Sequence, residues 1–134
     1  MKVYEWLDER GNGEVSDWGL DSEPQAKLDG KIDKLVIAEV DPRTKKSNLP
    51  QDLLSGPGFD GHQYIYKLKG RGKVQLRPMV CLGPFADDEW TILHRAVERG
   101  NKLIPADAAA SAERRRQILC KDRLRRRLLR DDGK

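Results

Sequence analysis

Two histidines and two cysteines are the first residues to weigh for metal or nucleophilic chemistry, and they stand at positions 62, 81, 94 and 120. That scatter has none of the close pairs a zinc site needs, so no metal and no cofactor is expected. Gly70-Arg71-Gly72 is too short to cradle a phosphate, and no helix follows it. Gly56-Pro57-Gly58-Phe59 reads as loop punctuation, and nothing marks a nucleophile elbow around a serine. What remains is cationic. Arg77 stands in an otherwise largely apolar run, where a guanidinium needs either a partner or a groove. Lys69 and Arg71 flank a tight turn, where solvated charge is usual. His94 follows Leu93 in an apolar stretch and is the nearby group that titrates around neutrality.

Charge is unevenly spread. Residues 113–134 hold ten Lys or Arg against four Asp or Glu, while the rest of the chain holds sixteen basic and eighteen acidic side chains. A near-neutral body with a basic tail points to an anionic partner such as RNA, DNA or an acidic protein. A chain of 134 residues is the size of one domain. No apolar run approaches the roughly 20 residues that span a bilayer, and residues 1–6 lack the apolar core of a signal peptide. A cytoplasmic protein with no membrane partner and with reduced thiols is therefore expected.

These residues must be held by elements, which the hydrophobic periodicity outlines. Val3, Trp6 and Leu7 make a short apolar start before the Gly11-Asn12-Gly13 break. Ser22 is placed to cap a helix in which Leu28, Ile32, Leu35, Val36 and Val40 share one face, and Asp41-Pro42 ends it. Residues 43–61 read as a long loop with one helical turn near residues 50–54. Alternation then returns: Tyr64 to Lys69, the Gly70-Arg71-Gly72 turn and Val74 to Leu82 form a hairpin, with Pro78 marking an edge or a bulge. A third strand covers residues 90–97. Pro105 and Asp107 open a last helix that nothing breaks before Asp131. The sum is an α+β domain: a small antiparallel sheet of three to four strands, helices packed on one face of it, and a long basic C-terminal helix.

Read as an ordered set, Tyr64-Ile65-Tyr66-Lys67-Leu68-Lys69, Val74-Gln75-Leu76-Arg77, Ile92-Leu93-His94-Arg95-Ala96-Val97-Glu98-Arg99, Lys102, and Pro105 followed by Ala112-Glu113-Arg114-Arg115 carry a resemblance. Residues 62–116 resemble the RelE/ParE toxin superfamily, most closely its phage-derived RelE-like (HigB-like) branch. The resemblance implies a RelE-like domain over residues 1–120 with a basic helical extension over 121–134. It also implies a toxin of a toxin–antitoxin system that acts on mRNA at the ribosome, by metal-independent endoribonuclease cleavage or by blocking translation. Its partners would be RNA, the ribosome and a cognate antitoxin protein.

Metal-free RNA cleavage needs a base for the ribose 2′-OH, cations for the charged phosphorane and an acid for the leaving oxygen. By position, the resemblance implies Arg77, His94 and Lys67 as the catalytic set. Lys69, Arg71, Arg99, Lys102, Arg115, Arg116, Arg123, Arg126 and Arg127 would bind the nucleic acid. No aromatic residue follows Trp90 where ribonucleases of this kind use a C-terminal Tyr, and Glu98-Arg99 replaces a basic pair. Those departures motivate a second reading: a non-catalytic phage or prophage protein that binds a host or phage protein, or a ParE-like gyrase inhibitor.

The tail carries its own expectation. A continuous helix over residues 105–130 should pack its Ala108, Ala112, Ile118 and Leu119 stripe on the sheet. Its distal half, from Lys121 on, should project, because arginines outnumber apolar residues there. Such a projecting half could bind nucleic acid or form a homodimer, and removing residues 123–134 should leave the fold intact.

Overall fold

A computed structural model describes residues 1–70 and 74–131. Arg71, expected to bind RNA, lies outside the described residues. In chain order the elements are β1 (Lys2–Trp6), α1 (Ser22–Val36), β2 (Leu54–Ser55), β3 (Ile65–Leu68), β4 (Gln75–Leu76) and β5 (Met79–Leu82). There follow β6 (Glu89–His94), β7 (Val97–Arg99), β8 (Lys102–Ile104), α2 (Ala108–Lys121) and β9 (Arg126–Arg130), with a 3-10 turn over Arg123–Arg125. Six strands form a mixed sheet in the order β2-β3-β5-β6-β1-β9, and β4-β7-β8 form a second, three-stranded sheet. The β1–β6 pair is parallel; the other pairs are antiparallel. This corrects the expected architecture of three to four antiparallel strands. Chain that looked like loop and helix is strand, and two sheets form where one was expected.

Side-chain alternation explains why one helix cannot serve both faces of the main sheet. Tyr66, Val80 and Ile92 point to a core with Leu28, Ile32 and Leu35 of α1. Their neighbours Ile65, Cys81 and Leu93 point the other way, to Ala108, Ala109, Ala112 and Leu119 of α2. With both faces of the central strands apolar, each needs its own cover, so the helices lie on opposite faces rather than on one. The small side chains of α2 let it sit close to the strands.

Pro78 is where the expected hairpin divides. The Pro78 carbonyl still accepts from the Leu68 N–H, but the Arg77 N–H donates to Ala96. Residues before Pro78 therefore join the second sheet and residues after it the first, and a bulge follows between Met79 and Val80. The β7–β8 hairpin turns at Gly100-Asn101, where both residues have positive φ, as a two-residue turn of this hand requires.

Helix α1 begins one residue earlier than expected, at Ser22 itself with Asp21 at the N-cap position, and it ends at Val36. Val40, expected on the helix face, instead bridges Ser47. The largest departure is at the C-terminus, where the long basic helix is not formed. Helix α2 stops at Lys121, Asp122 is extended and its carboxylate accepts from the Leu124 N–H, and the chain then runs as β9 along β1. Two buried carboxylates supply the reason. Glu5 on β1 and Glu89 on β6 are almost fully buried, and β9 brings Arg127 and Arg126 to them. An unpaired buried carboxylate would cost several kcal/mol, so pairing in the sheet outweighs helix propensity in an Arg-rich segment.

Candidate functional site

Among the expected catalytic residues, Arg77 is the most tightly engaged. Its guanidinium donates to the carbonyls of Gly70 and Leu76 and to Gln75 Oε1, and lies 3.5 Å from Glu98. These bonds tie Gly70 and β4 to β7. Lys67 lies half-buried with Nζ 4.5 Å from the centroid of the Phe59 ring. Burial, then the neighbouring Lys69 charge, holds its ammonium below the ordinary value. Register places Lys67 opposite Met79 and Met79 opposite His94. Lys67 and His94 thus stand two strands apart, about 10 Å between backbones.

The chemistry concentrates around His94, at the end of β6. The β1–α1 connection brings Glu14 there, because Gly13 allows a close approach: a Cβ on Gly13 would fall 2.2 Å from Glu5 Oε1. Glu14 accepts from the Arg95 N–H at 2.7 Å and pairs with Arg115 at 2.8 Å and, through its other oxygen, with Arg95 at 3.8 Å. His94 Nδ1 lies 2.6 Å from the Arg95 carbonyl. A carbonyl only accepts, so Nδ1 carries the proton and Nε2 keeps its lone pair. No described residue hydrogen-bonds Nε2. Burial, reinforced by the Arg115 charge, lowers the His94 pKa below its ordinary value, so the ring is neutral at pH 7.

Around this imidazole opens a pocket of about 380 Å³, lined by Trp6, Ser111, Arg114, Arg115 and Arg125 and by two carboxylates, Asp8 and Glu9. Trp6 is gripped by two guanidiniums, with Arg125 4.5 Å and Arg115 5.5 Å from its ring. Arg115 also donates to the Leu93 carbonyl, which fixes it over the strand. Arg114 is largely exposed; its guanidinium donates to Ser111 Oγ at 2.8 Å and approaches Asp107 at 3.8 Å. A neutral base with an open nitrogen can accept a proton, and the guanidiniums of Arg114 and Arg115 beside it can stabilise a developing phosphorane charge.

Of the expected RNA-binding residues that are described, the structure brings only Arg115 to this pocket. Arg116 lies on the other side of α2, bonded to Glu113 at 2.6 Å and stacked on Tyr64. Arg126 is buried against Glu89 at 2.5 Å, and Arg127 pairs with buried Glu5 at 3.1 Å. Arg123 stacks on Phe85. Arg99 and Lys102 pair across the β7–β8 turn, away from α2, and Lys69 follows β3. Among the described residues, no group of three or more His, Cys, Asp or Glu is placed to hold a metal ion. No helix there is long and apolar enough to cross a membrane.

Comparison with known proteins brought no match: no family model, no curated protein and no solved structure. Glu14, Trp6, Arg114 and Arg125 are the site residues that sequence reasoning missed. Glu14 and Trp6 precede α1, more than 75 residues from His94 in sequence, where no local spacing links them. Asp122 was the available sign for Arg125, since an Asp inside an Arg-rich run favours a cap or a break over helix continuation.

Proposed function

We propose that the chain acts on RNA as a toxin of the kind its sequence resembles, cutting or blocking mRNA at the ribosome, with His94 as its general base. One observation carries this reading: a neutral imidazole with Nδ1 committed to a carbonyl and Nε2 open beside Arg114 and Arg115. In the step proposed, Nε2 takes the proton of a ribose 2′-OH and O2′ bonds to the adjacent phosphorus. The P–O5′ bond breaks, and water protonates the departing 5′ oxygen. The products are a 2′,3′-cyclic phosphate and a 5′-hydroxyl, and no electron changes hands. Arg115 and Arg114 stabilise the added phosphoryl charge. Arg77 enters this reading as a scaffold residue, since its donors are occupied internally.

Expression in a bacterium should stop growth, and the extracted mRNA should carry cyclic-phosphate ends. The His94→Gln variant should restore growth and intact mRNA, with a loss of about 10²–10⁴-fold in cleavage of an RNA substrate. Normal growth with intact mRNA at full soluble expression would sink the reading. The non-catalytic alternative is favoured by the internal use of Arg77 and of Arg126. Growth arrest that persists in His94→Gln with uncut mRNA would select it.

A further inference from the structure

A second and larger pocket, of about 550 Å³, lies across α2 from His94, between the loop that follows α1, the start of β3 and the β5–β6 turn. Its volume falls within the range of small-ligand sites. Tyr64 forms one wall. The Arg116 guanidinium lies 4.0 Å from the Tyr64 ring centroid, yet the residue is still 48% exposed. Phe85 gives an apolar surface on the far side, backed by Arg123 at 4.4 Å. Arg43 and Lys45 stand at the mouth, and Thr44 and Gln63 add neutral hydrogen-bonding groups.

The electrostatics favour an anion. Arg43, Lys45, Arg116 and one carboxylate, Asp87, line the space; Arg116 is already paired with Glu113, so the excess positive charge rests on Arg43 and Lys45. Asp87 reaches Lys45 only at 3.7 Å, and it is 88% exposed. Arg43 makes no ion pair among the described residues. The loop carrying these cations is anchored rather than loose. Lys45 adopts positive φ, and its carbonyl accepts the hydroxyl of Tyr66, itself buried in the core. An aromatic wall with an exposed edge, a fixed guanidinium behind it and an unpaired Arg at the rim matches one ligand class: a flat heteroaromatic ring bearing a phosphate.

We propose that this pocket binds a nucleotide, its base stacked on Tyr64 and its phosphate held by Arg43 and Lys45. The nucleotide is either free or one unit of an RNA strand, and the two share this chemistry. The site is independent of His94, so it stands or falls separately from the cleavage reading.

The test is calorimetric titration of the full chain with AMP, CMP and a short single-stranded RNA. Wild type should bind all three. Tyr64→Ala should weaken binding by about 5–100-fold, the range of a lost base–aromatic stack, and Tyr64→Trp should restore it. Arg43→Ala should weaken mononucleotide binding and flatten its salt dependence. RNA binding much tighter than AMP binding, and equally sensitive to Tyr64→Ala, identifies a strand as the ligand; equal affinities identify the free nucleotide. Binding that is unchanged in both Tyr64→Ala and Arg43→Ala overturns the proposal, as does the absence of binding by wild type at millimolar ligand. Circular dichroism of each variant separates lost binding from lost fold. Tyr64→Trp that folds but fails to bind also overturns it.

Discussion

At His94, burial and the Arg115 charge both favour the neutral ring, and the sign of that preference fixes two pH dependences. The ordinary pKa is 6.5, and the folded value lies below it. As pH falls through 6.5, the unfolded chain gains a proton that the folded chain still refuses. Stability present above pH 6.5 is therefore lost between 6.5 and the lower folded value. The acid limb of any His94-dependent RNA cleavage should likewise fall below pH 6.5, because the base stays unprotonated to lower pH. An NMR titration of the ring with a midpoint at or above 6.5 would contradict both expectations. Glu14 opposes the shift, since its charge raises the His94 value. Glu14→Gln should thus lower the midpoint further in the same titration. It should also cost about 1.5–3 kcal/mol in urea denaturation, the worth of charged hydrogen bonds lost at Arg95 and Arg115.

Strand β9 is where element-level reasoning from sequence went furthest astray. Arg-Arg-Leu-Leu-Arg has no strand alternation of the usual kind, and counted locally it reads as a solvated helix end. Its partners, Glu5 and Glu89, lie far back in the chain, so no window of sequence contains both sides of the pairing. The β7–β8 hairpin was more legible: Gly100-Asn101 is a two-residue turn signal, but the apolar residues flanking it are few. Strands β3 and β6 and the body of α1 were readable because their periodicity is strong and local, whereas Val3, Trp6 and Leu7 fitted a strand or a first turn equally well. At the site, the same limit applies. His94 and Arg115 could be picked out by residue type, whereas Glu14 and Trp6 join them only through tertiary contact. The buried pairing reverses the expectation that the tail is dispensable. Removing residues 123–134 should yield insoluble or unfolded protein, because Glu5 and Glu89 would be left buried without counter-charges. Arg126→Ala alone should cost about 3–5 kcal/mol in denaturant midpoints, and joint Arg126→Met, Glu89→Leu should recover most of that. A truncated chain that folds with unchanged stability would show that β9 is not part of the core.

At the scale of the whole molecule, the six-stranded sheet carries a different core on each face, and its strands join the two. Ile32 belongs to the α1 side and Leu119 to the α2 side. Truncating either to Ala should cost about 2–5 kcal/mol. Combined, the two should add, because the sites share no packing partner. Yet unfolding should remain a single transition, since neither core closes without the central strands. Separate transitions for the two helices in circular dichroism and Trp fluorescence would refute that. The position of β1 also has a consequence in time. It is made well before β9 yet lies between β6 and β9, so in a nascent chain one edge of β1 stays unpaired until residues 126–130 have left the exit tunnel. Arg125, which seats on Trp6 beside His94, arrives with that last segment. Whatever the His94 pocket does, its Arg125 wall is complete only after β9 has emerged.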